Sequence, residues 1–151
     1  MIAILFSALF SIATAVRANN SLVPYEGNFT AAVVCSSASS LAKNFVVTVD
    51  PDTPTQGQNV TTTFDFDLDA PIVGGTAYYS ATLNGLGPFT SQAPLCDETA
   101  KSGDPCPLEA GHHHEVSVAT NTVTGKVVTT ITWYDTAGAM ILCAVLTTKS
   151  T

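Results

Sequence analysis

Three histidines stand in one run, His112-His113-His114, and Glu115 follows them. On an extended chain His112 and His114 share a face, which offers two imidazoles to a metal ion. A zinc site needs further ligands, and the chain has no other histidine and only four cysteines, which are expected to be paired. The zinc-protease spacing also fails, because Val118 stands where HExxH requires its second histidine. The run is therefore expected at a solvated junction of loop and strand, with no metal. Asp65, Asp67 and Asp69 suggest calcium only until the EF-hand pattern is applied, since its Gly and Glu positions are unmatched. There is no G-x-S-x-G elbow, and no carboxylate pair is marked out for glycoside cleavage. No catalytic residue is assigned, no cofactor is expected, and the chain reads as a non-enzyme.

The elements that position these residues are strands. Phe64, Phe66 and Leu68 alternate with Asp65, Asp67 and Asp69, a period of two with one wet face. Around this clearest strand, Val60 to Leu68, lie Phe29 to Cys35, Phe45 to Val49, Thr76 to Leu83, Glu115 to Thr120, Lys126 to Tyr134 and Met140 to Thr147. Gly, Pro, Asn and Asp separate them. Asn84-Gly-Leu-Gly-Pro88 breaks the chain, and an irregular approach to Cys96 begins at Phe89. The strands at 115–120 and 126–134 are expected to pair around Asn121 to Gly125, and Thr136-Ala-Gly138 to turn the chain into the last strand. No helix is expected. The fold class is all-β, an immunoglobulin-like antiparallel sandwich of two sheets.

The 151 residues are enough for one domain with a real core. Residues 1–12 form an apolar run too short to span a bilayer, followed by small-residue sites after Ala15 and Ala18. The expected organisation is a signal peptide at 1–18 and one domain at 19–151. Four cysteines then favour two disulfides in an oxidising compartment. Sequons occur at Asn19, Asn28 and Asn59, and Asn28 and Asn59 are the expected glycosylation sites. Losing Arg17 with the leader moves the net charge from −7 to −8. Such a balance excludes nucleic acid as a partner, because phosphate binding needs clustered Lys and Arg.

What remains is an apolar inventory: Phe64, Phe66, Tyr79, Leu83, Leu86, Phe89, Val116, Val118, Val123, Ile131, Trp133 and Leu142. These side chains either pack as an ordinary core or line a cavity between splayed sheets, and periodicity does not separate the two.

Cys96, then Lys101-Ser-Gly-Asp-Pro-Cys106-Pro-Leu108, Gly111, Thr130-Ile-Thr-Trp133 and Ile141-Leu-Cys143-Ala-Val145 together resemble the ML lipid-recognition domain family. The resemblance covers Leu95 to Thr147 well and extends more weakly back to Cys35. It implies Cys35–Cys143 joining the first and last strands, and Cys96–Cys106 closing a loop. A third pair found in many members is missing, since Asp50-Pro-Asp-Thr-Pro-Thr55 holds no cysteine. Phe89 matches the aromatic that gates the family cavity, Val123 falls near its rim, and Trp133 matches the family tryptophan. Phe64, Phe66 and Tyr79 lie on strands whose inner faces line the pocket.

The resemblance implies a lipid carrier whose ligand is a sterol or phospholipid, with transient membrane contact and a monomeric state. It would be secreted, or delivered to an acidic vacuolar or lysosomal lumen. Alternatives are a module of the same fold that presents a lipid to a partner, or a small secreted adhesion or enzyme domain. Protonation of His112, His113 and His114 near pH 5 is expected to ease approach to anionic luminal membranes.

Overall fold

The computed structural model describes residues 31–51 and 53–150. The leader at 1–18 and the sequons at Asn19 and Asn28 lie outside the described residues, whereas Asn59 is exposed at the start of a strand. Among the described residues, eight strands and one short helix follow in order: β1 (Ala31–Val34), β2 (Ala42–Asp50), β3 (Asn59–Leu68), β4 (Gly75–Leu83), β5 (Leu86–Pro94), α1 (Leu95–Lys101), β6 (Gly111–Thr120), β7 (Gly125–Asp135) and β8 (Met140–Ser150). They make a five-stranded sheet, β1-β8-β7-β4-β5, facing a three-stranded sheet, β2-β3-β6. Every strand pairing is antiparallel, the arrangement that the alternating sequence pattern predicts.

The alternation decides what is buried. In β3, Val60, Thr62, Phe64, Phe66 and Leu68 all point inward and the intervening residues are partly exposed. Across the sandwich, Ala77 and Tyr79 of β4, Ile131 and Trp133 of β7, and Leu142, Ala144 and Leu146 of β8 complete one apolar cluster. Phe66 is fully buried at its centre, with ring centroids 6.1 Å from Trp133 and 6.4 Å from Phe45. Burying one such ring is worth about 1.5–3 kcal/mol. The mapped strands therefore pack largely as a real core.

Three expectations are corrected. First, Phe89 does not begin an irregular stretch. Asn84 and Gly85 both adopt positive φ, 51° and 81°, and Leu83 pairs with Leu86 across them. This is the two-residue hairpin that Asn-Gly favours, and it returns the chain as the edge strand β5. Pro88 is tolerated there because an edge strand has a side with no ladder to donate to.

Second, there is a helix. In α1, Leu95 and Thr99 are buried one turn apart, Asp97 and Glu98 occupy the first turn, and Lys101 the last. Those charges complement the helix dipole. The Ser102 and Gly103 amides donate to the Thr99 and Ala100 carbonyls and end it. Seven residues are too few to show a helical period in the sequence.

Third, β6 and β7 are no hairpin: β6 pairs only with β3, and β7 with β4 and β8. The chain crosses between sheets at Asn121, which is fully buried. Its side-chain amide donates to the Thr55 carbonyl and to Ser150 Oγ, and its backbone amide donates to the Gln58 carbonyl. An apolar residue there would take its donor from the Thr55 carbonyl and from Ser150 Oγ.

Candidate functional site

The two sheets meet differently along their two long sides. Next to β1 and β8, β2 packs closely, and the Cys35–Cys143 disulfide ties β8 to the chain just after β1. On the other side β5 and β6 are both edge strands, and no ladder joins them. α1 packs there against β4 and β5, and the Cys96–Cys106 disulfide tethers it to the loop that leads into β6. Both disulfides pair as the resemblance implies.

Under this cover lies a cavity of about 60 Å³, lined by Thr62 and Phe64 of β3, Tyr79 of β4, Trp133 of β7, Glu115 and Ser117 of β6, and Glu98, Lys101 and Ser102 of the α1 segment. Three aromatic side chains thus form its inner wall, and the polar groups come from α1 and β6. Sites for drug-sized ligands enclose roughly 300–1,000 Å³, so a ligand of that size would fit only if the sheets part. The unladdered side is where they can part without breaking strand pairing.

The polar wall is tightly organised. The Tyr79 hydroxyl donates to Glu98 Oε2 at 2.9 Å, and Lys101 Nζ donates to Glu98 Oε1 at 2.5 Å. Burial, then the Glu98 charge, raises the Tyr79 pKa far above its ordinary value. His113 is 7% exposed and stacks on Phe66 at 5.2 Å. Its Nε2 donates to the Glu109 carbonyl at 2.7 Å, and its Nδ1 meets Asp104 Oδ2 at 2.5 Å. Burial alone would depress its pKa, but the Glu109 carbonyl and the Asp104 carboxylate outweigh it and the net direction is upward. Beside this pair, burial pushes the Glu115 carboxyl up to about 7, with Asp104 adding to the rise and Ser102 and His113 opposing it.

The triple histidine is a solvated junction only in part, because His113 is buried. It lies within β6, where His112 and His114 point outward and His113 inward. Outside, His112 Nδ1 is 3.0 Å from Asp67 Oδ1 and His114 Nδ1 is 2.7 Å from Asp65 Oδ1, directly across the β3–β6 ladder. A hydrogen bond from Asn44, then His112, lowers the Asp67 pKa. Inside, the ligating atoms of Asp104, His113 and Glu115 lie within 4.8 Å of one another. Both ring nitrogens of His113 are already engaged there, so the trio reads as an ion-pair network.

The proposed lining residues divide into four groups. Phe64, Tyr79 and Trp133 line the cavity. Phe66, Ile131 and Leu142 belong to the surrounding core cluster. Leu83 and Val123 pack instead against Ala81 and Val127 in a second small cluster. Phe89, 43% exposed, stands on β5 opposite Ala81, with Leu86 exposed near the hairpin. Val116 and Val118 are misplaced by the sequence reading. They share the outward parity of His112 and His114, and Val118 is 61% exposed. The inward positions of β6 are polar, so hydrophobicity pointed to the wrong face. Glu98, Glu115, Ser102 and Lys101 are absent from the expected site because single polar residues carry no periodic signal.

The class defined by these features is a two-sheet β-sandwich with a disulfide-tethered helix over an aromatic interior cavity. The family model described as the ML domain matches residues 30–150, and the chain belongs to that family. Similar solved structures include chicken MD-1 complexed with lipid IVa, with a TM-score of 0.60 at 18% identity, covering 84% of this chain and 94% of that one. They also include a Niemann-Pick type C2 protein from Japanese carpenter ant, with a TM-score of 0.58 at 15% identity, covering 79% and 99%. No curated protein matches by sequence.

Proposed function

We propose that this ML-domain protein binds one amphipathic lipid, a sterol or a phospholipid, between its sheets and carries it between membranes. The observation that carries this reading is the aromatic cavity of Phe64, Tyr79 and Trp133 on the unladdered side of the sandwich, under a tethered helix. Lipid IVa in the MD-1 structure supports it. The chemistry is binding alone: each Å² of apolar lipid surface removed from water contributes roughly 25 cal/mol. Exchange needs α1 and β5 to swing away from β6, while the β1–β2–β8 side stays packed. The exposed Leu86 and Phe89 on β5 are suited to shallow contact with a membrane during that step.

Two disulfides accord with a secreted protein or one in an acidic vacuolar or lysosomal lumen. The working unit in this reading is a monomer, glycosylated at Asn28 and Asn59. Native mass spectrometry of the purified glycoprotein, followed by lipid extraction, tests the proposal. One lipid per chain is expected. Recovery of no stoichiometric lipid, with no transfer between vesicles, would mean a filled-core adhesion domain instead.

A further inference from the structure

Two residues of the cavity wall carry polar atoms without a hydrogen bond of good geometry, Trp133 at Nε1 and Glu115 at its carboxyl, and only Glu115 can bear a charge. Glu115 is 4% exposed and lines the cavity, and neither carboxyl oxygen accepts a hydrogen bond of good geometry. Buried polar groups are nearly always paired, so an orphan facing a binding cavity points to a missing partner. The neighbouring charges already answer one another: Lys101 and the Tyr79 hydroxyl serve Glu98, and His113 serves Asp104. Ser102 and Ser117 are neutral, the one ammonium facing the cavity, Lys101, is paired with Glu98, and Glu115 shares His113 with Asp104.

We infer that Glu115 selects the lipid by its polar end: the occupant presents a hydrogen-bond donor, a hydroxyl or a protonated amine, to this carboxyl, and lipids ending in an anionic phosphate are rejected. This rests on the lipid-carrier reading and narrows it. Ionised, Glu115 only accepts; protonated, it would also donate to a phosphate oxygen, so the preference is sharpest above its raised pKa of about 7. A phosphate dianion would meet two carboxyls, Glu115 and Glu98, against the one ammonium of Lys101, which already pairs with Glu98. Charge repulsion then disfavours it.

The test uses three single-chain probes of equal tail length, dodecylamine, dodecanol and dodecyl phosphate, on the mature protein at about pH 8, where Glu115 is mostly ionised, the amine protonated and the phosphate a dianion, below their micelle thresholds. Trp133 is the only tryptophan and lines the cavity, so its fluorescence reports occupancy. Dodecylamine and dodecanol are expected to bind at least about tenfold tighter than dodecyl phosphate. In Glu115→Gln the amine should weaken about tenfold while dodecanol stays within about threefold, since the amide oxygen still accepts. Glu115→Leu should weaken both and narrow their lead over the phosphate. Circular dichroism establishes that each variant is folded, and Glu115→Gln removes a buried charge without changing shape.

Phosphate binding as tight as the amine, or an order unchanged in Glu115→Gln, overturns the inference and leaves lipid carriage standing. No response to any probe, together with no lipid by native mass spectrometry, means that lipid carriage itself has failed and the selection with it.

Discussion

The two long sides of this sandwich are built from different materials. Along β1, β2 and β8 the contact is apolar, from Ala42 and Val47 across to Leu142, Ala144 and Leu146, and the disulfide spans 108 residues. Along β5 and β6 the cover is a seven-residue helix held by a disulfide spanning 10 residues and by the Tyr79–Glu98, Lys101–Glu98 and His113–Asp104 contacts. Apolar packing over a wide area has no partly open intermediate that is not costly, because any void loses its contacts. A few polar contacts can exchange for water one by one. In the lipid-carrier reading, one side is therefore the frame, and the other the door.

The largest expected effects come from breaking the frame. On the chain-entropy account, losing the 108-residue closure costs about 4–5 kcal/mol and losing the short one about 3. Cys35→Ala with Cys143→Ala should therefore lower the melting temperature more than Cys96→Ala with Cys106→Ala. Phe66→Ala, at the centre of the core, should cost about 3–5 kcal/mol. Lipid exchange between vesicles should sort the same variants the other way. Freeing α1 should change the exchange rate in a folded protein, whereas the frame variants should act mainly through stability. Equal stability losses, with no change of exchange in the Cys96–Cys106 variant, would remove the distinction.

The frame was legible in the sequence, and of the door only the loop closed by Cys96 and Cys106 was. Phe64, Phe66 and Leu68 announce β3 because a strand with one wet face must alternate, and the cysteine-bracketed loop carries the family resemblance. The register of β6 is where legibility ended. Val116 and Val118 look like its inner face, yet pairing of Phe66 with His113 and Phe64 with Glu115 turns the polar residues inward. A strand that lines a partly polar cavity breaks the rule that its apolar face is its buried face. α1 and β5 escaped for simpler reasons. Seven residues hold one helical repeat at most, and Gly87-Pro88 in β5 read as breakers when Asn84-Gly85 had already made the turn.

Acidity should separate the two sides by a middling amount. With its pKa raised from 4.5 to about 7, Glu115 holds more protons in the folded state than in the unfolded chain between those values. Stability therefore falls as pH rises through that window. His113, raised above 6.5, stabilises the fold below its unfolded value and loses that contribution as pH climbs through its folded one. Both groups act in one direction, and both belong to the door. Asp67, lowered below 3.8, opposes them only under stronger acid, where its contribution is lost. The domain should be more stable at pH 5 than at pH 8 by on the order of 2 kcal/mol. Glu115→Gln should flatten much of that slope in thermal melts. A profile that rises from pH 5 to 8 would show that Glu115 and His113 are not held as described.

The smallest effect tests the inward–outward assignment of β6 itself. Val118 is 61% exposed and pairs with Thr61 on the outer surface of the three-stranded sheet. Val118→Thr keeps the β-branched shape that a strand favours and should change stability by less than about 0.5 kcal/mol. It should leave Trp133 fluorescence and probe binding unaltered. Ser117, one residue earlier, lines the cavity. Ser117→Val adds bulk and an apolar surface to that wall, so it should alter binding of the dodecyl probes. If Val118→Thr shifts binding and Ser117→Val does not, β6 is rotated by one residue, and Glu115 faces solvent instead of the cavity.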